Sequence, residues 1–135
     1  MPTEPKTKPT DASVADFLEA VEHPGRREDG KVIADMMAEA SGEKPVMWGP
    51  SIVGYGSYRG PTGDWPRIGF SPRKANLVLY MMPGFEAQAY LLGQLGKHKI
   101  GASCLYLNRL TDVDLMVLRQ MIEASVKAMR EKYPA

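Results

Sequence analysis

At Pro45 the chain changes character, and that change narrows what it can fold into. Before it, apolar residues recur at helical spacing. After it, glycines, β-branched residues and aromatics take over, as in Met47-Trp48-Gly49-Pro50-Ser51-Ile52-Val53-Gly54-Tyr55-Gly56-Ser57-Tyr58. Helical segments followed by a run of strands predict an α+β domain, with the helices gathered on one side of a sheet.

The helical half reads as follows. Residues 1–12 are rich in Pro, Thr and Lys, with little to bury, and are expected to form a disordered tail. Residues 13–135 are then one domain. Ser13 is a candidate N-cap with Asp16 three residues on, and Val14, Phe17, Leu18 and Val21 follow at helical spacing. This helix should reach about His23 and stop at Pro24-Gly25. Val32, Ile33, Met36, Met37 and Ala40 mark a second helix, ended by Gly42.

In the second half, one strand is expected after Pro50, one over Trp65 to Phe70 and one over Asn76 to Met82. Ser71-Pro72-Arg73-Lys74 has the chemistry of the turn between the last two. A third helix should run from Pro83 to Leu95, closed by Gly96, followed by a strand over Ser103 to Leu107. The final helix is expected to be capped by Thr111, with Leu115, Leu118, Ile122, Val126 and Met129 along one face. The order is α-α-β-β-β-α-β-α. It predicts a two-layer fold: a four-stranded, mainly antiparallel sheet with helices on one side. The third helix returns the chain, so the fourth strand should run parallel to the third through a right-handed crossover.

A chain of 135 residues is one domain by size. Its net charge of +1 creates no global field for nucleic acid or an anionic membrane, so neither is expected as a partner. The single cysteine, Cys104, cannot close an internal disulfide. The opening residues Met1 to Lys6 lack an apolar signal region, and no apolar run approaches the roughly 20 residues of a membrane span. The cytoplasm is the expected compartment.

Three stretches carry a resemblance. They are Trp48 to Tyr58; Ile68-Gly69-Phe70-Ser71-Pro72-Arg73-Lys74 with Leu77-Val78-Leu79-Tyr80; and Leu95-Gly96-Lys97-His98-Lys99 with Cys104-Leu105-Tyr106-Leu107, extended by Arg109 to Asp114. Together they resemble the YdhG-like family, a domain of unknown function. The resemblance implies a fold compared with frataxin, and it implies iron handling as one possible role. Such proteins usually carry a lysine near Ala102 and often another near Asn108. This chain has neither, which makes its patch less basic than the family pattern.

Strand and helix lengths gather separated residues. A strand of about seven residues covers roughly 23 Å. The third helix, at about 1.5 Å per residue, returns roughly 20 Å. The loop from Gly96 to Ala102 should therefore land beside Arg73 and Lys74, with Trp48 near the same end of the sheet. Trp48, Arg73, Lys74, Lys97, His98 and Lys99 form the first candidate site, for a small anionic molecule. Arginine grips carboxylate or phosphate bidentately, lysine adds point charge, and the indole offers a stacking face. The competing reading is a set of solvated loop cations.

Tyr55, Trp65, Arg67, Tyr80 and Tyr106 form a second candidate on the sheet face away from the helices, for a small molecule or a homodimer contact. Half-buried strand aromatics are the competing reading there. Asp16, Glu19 and Glu22 lie at i, i+3 spacing on the first helix and are the candidate iron ligands; a solvated helix face shows the same spacing. No other cofactor is expected. Cys104 sits among strand residues and reads as a buried small hydrophobe, and no nucleophile motif, P-loop or Cys-x-x-Cys is present.

Overall fold

The computed structural model describes residues 9–60, 63–81, 84–85 and 88–133. Among these, four α-helices cover one face of a six-stranded antiparallel sheet. The helices are α1 (Val14–Glu19), α2 (Pro24–Ser41), α3 (Ala89–Leu95) and α4 (Leu115–Lys132). The strands are β1 (Pro45–Trp48), β2 (Ile52–Tyr55), β3 (Tyr58–Gly60), β4 (Gly63–Trp65), β5 (Ile68–Pro72), β6 (Leu77–Tyr80), β7 (Lys99–Ile100) and β8 (Cys104–Leu107). The main sheet has the order β1-β2-β5-β6-β8-β7, and β3 and β4 form a separate hairpin. No helix among the described residues is long and apolar enough to cross a membrane.

The helix ends follow local chemistry. The Ser13 side chain accepts from the Asp16 amide at 3.1 Å, as its position predicted. Gly42 closes α2 in the left-handed conformation, φ 70°. Pro24, expected to stop the first helix, instead opens the second at its first turn, where a missing N–H costs nothing. His23 caps it, its Nδ1 accepting from the Arg26 amide at 3.0 Å. Asp114, not Thr111, caps α4, accepting from Met116 and Val117; Thr111 lies in a short 3-10 turn, Leu110–Asp112. The expected start of the third helix at Pro83 lies outside the described residues, as do residues 1–8 of the expected tail. Thr10, later in that segment, donates to Met47 O at 2.8 Å on the sheet edge.

Core position is set by strand alternation. Val53, Tyr55, Ile68, Phe70, Leu77, Leu79, Leu105 and Leu107 point to the helix side, where Ile33 and Met37 of α2 and Leu118, Met121 and Ile122 of α4 meet them; all are fully buried or nearly so. The fourth expected strand does not run parallel to the third. It is β8, and it pairs antiparallel with β6, Leu79 opposite Leu105. The returning helix feeds β7 instead, which runs in the direction of β6. The turn at Gly101 to Ser103, closed by the Gly101 amide on Cys104 O at 2.8 Å, then folds β8 back between them. The sheet is thus six-stranded, not four-stranded: the sequence reading lacked β1 and β7, both at the edges. The expected strand over Trp65 to Phe70 is broken at Pro66, which cannot donate to a ladder, into β4 and β5.

Candidate functional site

The loop Lys97 to Lys99 is anchored from behind. Gly96 bridges to Val113, the Lys97 amide donates to Asp112 O at 3.2 Å, and the Asp114 amide donates to Leu95 O at 2.8 Å. Gly96 has φ +119°, and a Cβ there would lie 2.5 Å from Asp112 O, so only glycine permits this contact. The chain emerges at the end of the sheet where β6 begins, as the length argument predicted.

There it closes a hollow of about 220 Å³ lined by Asn76, Lys97, His98, Lys99, Tyr106 and Asn108, among others. Lys99 is the cross-strand partner of Tyr106, so both side chains stand on the same sheet face. His98 Nδ1 lies 2.7 Å from Gly96 O. A carbonyl only accepts, so Nδ1 carries the proton and a neutral ring leaves Nε2 outward as an acceptor. Among the described residues, no Asp or Glu lines this hollow. Among the described residues, no carboxylate lies within ion-pair distance of Lys97, Lys99 or Lys74, whereas Lys31 pairs with Glu19 and Arg119 with Glu39.

The other members of the first candidate set go elsewhere. The Arg73 guanidinium crosses to the sheet face away from the helices, where Nη2 donates to Tyr80 Oη at 2.7 Å. Lys74 lines a different hollow, on the far side of the β5–β6 turn. Trp48 is not part of this constellation. It lies at the same end of the sheet, but on β1, five strand spacings from β7, or about 24 Å. The indole is 3% exposed and lies over Gly54, where an added Cβ would meet Trp48 Cδ1 at 2.5 Å. Its role is packing. End-of-sheet placement is legible from lengths; lateral placement requires the strand order.

The second candidate set also divides. Tyr80 and Tyr106 share the face away from the helices with Cys104, which is half-buried there rather than in the core. A hydrogen bond with Cys104, and the charge its thiol can carry, raise the Tyr106 phenol above its ordinary range, while Arg73 acts in the opposite sense. Burial raises the Tyr80 phenol, again opposed by Arg73. Tyr55 faces the core, fully buried, its hydroxyl donating to Ala34 O at 2.8 Å. Trp65 belongs to the separate hairpin, opposite Tyr58. Arg67 lies at the other end of the sheet and clamps two carbonyls, Ser57 O at 2.9 Å and Tyr133 O at 2.7 Å. Much of the face expected to be open is covered within the chain: Ser71 is 0% and Val78 1% exposed.

Of the iron candidates, Glu19 is engaged by Lys31, which holds its carboxyl below the ordinary range. Asp16 is in the first turn of α1, and Glu22 lies past its end. Among the described residues, no three His, Cys, Asp or Glu side chains are grouped to hold a metal ion.

One buried polar knot has no counterpart in the sequence reading. Arg26 is 3% exposed; its Nη1 donates to Arg73 O at 3.3 Å and Lys74 O at 3.4 Å, and its Nη2 to Asn108 O at 3.0 Å and Oδ1 at 3.3 Å. Asp29, one turn on, accepts from Arg109 Nε at 2.8 Å and the Leu110 amide at 3.0 Å. Arg26 and Asp29 thus tie the start of α2 to the β5–β6 turn and to the segment after β8. A charged pair at i, i+3 on an amphipathic helix is the signal that could have drawn attention to them. No family model, curated protein or solved structure matches the chain. Function is therefore read from the chemistry of the site itself.

Proposed function

We propose that the chain is a non-enzymatic binding domain of the YdhG-like kind, taking a small phosphate-bearing or carboxylate compound in the hollow beside Lys97. The observation that carries this reading is the lining itself. Two lysines, a histidine, a phenol and two carboxamides converge on about 220 Å³, with no acidic side chain in the wall among the described residues. Small-molecule sites commonly span about 300–1,000 Å³, so this space suits an anion of a few heavy atoms. Lysine ammonium groups supply point charge to any anion geometry, and Asn76 and Asn108 add fixed donors for orientation.

The lysines are exposed, so salt should weaken binding as screening grows. A thermal-shift screen of phosphate-bearing and carboxylate compounds tests the reading. A ligand at ten times its Kd stabilises a fold by about 1.4 kcal/mol, which lifts the Tm of a domain this size by about 5 °C. The shift should vanish in Lys97→Ala/Lys99→Ala. A screen with no anion hit, or a hit indifferent to that double substitution, overturns the reading.

A further inference from the structure

The β5–β6 turn has a second hollow on its other side, and its chemistry differs. It spans about 660 Å³ between the end of α1, the start of α2 and the turn. Phe17, Ala20, Val21 and Pro72 give it an apolar wall. Arg26 and Lys74 give it a cationic end, with the neutral His23 ring and Glu22 also in the lining. The Arg73 guanidinium is directed away, toward Tyr80.

Arg26 is the unusual group. It is buried, its Nε has no hydrogen-bond partner among the described residues, and the atoms hydrogen-bonded to its Nη groups there are all uncharged oxygens. Among the described residues it has no ion pair; Asp29, one helical turn on, is engaged by Arg109. Burial lowers the Arg26 pKa; the Asp29 carboxylate opposes this, and neighbouring Arg109 adds to it. A buried cation whose hydrogen-bond partners are all neutral is costly, Asp29 offsets part of that cost, and a further anion would offset more. The same hollow receives the N-terminus of an 18-residue helix, whose dipole favours negative charge. Two independent features therefore favour an anion at the same end of the hollow.

We propose that this hollow is a second binding site, for a small molecule with an apolar body and a single carboxylate. The apolar wall calls for the body. Glu22 in the lining disfavours a second negative charge, which selects a carboxylate over a phosphate dianion. The first hollow has no such acid, so the two sites sort anions by charge and by apolar content.

The test uses the full chain, amide NMR, and hexanoate with its neutral analogue hexanol. Hexanoate should saturate with shifts at Phe17, Val21, His23 and Lys74. Hexanol should bind at least tenfold more weakly. Val21→Glu, which sets a carboxylate into a half-buried rim position, should weaken hexanoate at least tenfold. Lys74→Gln, an exposed change that leaves the fold intact, should weaken it about threefold. Lys97→Ala/Lys99→Ala should leave it unchanged, which separates this site from the first. Equal binding of hexanol, no saturation, insensitivity to Val21→Glu and to Lys74→Gln, or loss in Lys97→Ala/Lys99→Ala each overturns the proposal.

Discussion

The two ends of the sheet both carry cationic side chains around a hollow, arginines at one and lysines at the other, and they use them differently. At the end where β5 starts, a hollow of about 540 Å³ is more than twice the volume of the one beside Lys97, about 220 Å³. Its cations are already engaged. Arg67 clamps Ser57 O and Tyr133 O, Arg130 donates to Ser41 O, and Glu43 lies in the same wall. At the end where β6 starts, Lys97 and Lys99 have no carboxylate within ion-pair reach among the described residues, and no acid lines the space. Engaged cations hold the fold together. Unengaged cations converging on a small space are available to a ligand. Between these two hollows, volume alone would favour the one whose cations are already engaged.

Substitutions can break or sharpen this contrast. The largest effect should come from Arg26, the engaged cation at the β6 end. Arg26→Met leaves four acceptor contacts unmet at the α2–turn junction, and stability in urea should fall by about 3 kcal/mol. A change below about 1 kcal/mol would mean the knot is not structural. Next is Arg67→Ala, which frees two carbonyls at the other end. A loss of about 1.5 kcal/mol is expected, with affinity for anions unchanged. A loss of anion binding there would erase the distinction between the ends.

Tyr55 sharpens it through pH. Its hydroxyl bonds Ala34 O, so Tyr55→Phe should cost about 1 kcal/mol at neutral pH. Burial, reinforced by Asp35, raises its phenol far above the ordinary value of 10.0. A folded pKa raised above the unfolded one gives stability that is complete below the unfolded value and declines as pH rises past it. Denaturant melts between pH 9 and 11.5 should therefore show a decline that starts near the ordinary phenol value, about 10, and is shallower in Tyr55→Phe. Identical slopes would remove Tyr55 as a contributor. The smallest stability effect should be that of Lys97→Ala/Lys99→Ala, within about 0.5 kcal/mol, because both side chains are exposed and have no ion pair among the described residues. A larger loss would make them structural, like Arg67.

Part of this was legible in the sequence. The α+β class, the Ser13 and Gly42 caps and the arrival of the Lys97 loop beside the β5–β6 turn follow from periodicity, capping chemistry and element length. Edge strands were harder. β7 is two residues long and lies inside a segment whose lysines read as loop, and only the Gly101 to Ser103 turn hints at a hairpin. Missing it misplaces the neighbours of Lys99, because the register that sets Lys99 against Tyr106 exists only once β7 and β8 pair. Element lengths place Trp48 at the right end of the sheet but not across it, since lateral order is a tertiary property. Tyr55 was assigned to the wrong face because its polar hydroxyl masks a core position satisfied by a helix carbonyl. Arg26 was overlooked because a charged residue early in a helix ordinarily faces water.

The central claim is that the unengaged cations at the β6 end, and not the engaged ones opposite, receive an anion. Amide NMR titration with inorganic phosphate at low ionic strength tests it directly, since it reports both ends in one experiment. Saturating shifts at Asn76, Lys97, His98, Lys99 and Asn108, with Ser57, Arg67 and Arg130 still, are the expected result. Saturation centred on Arg67 and Arg130, or shifts that rise linearly at both ends alike, would contradict the account.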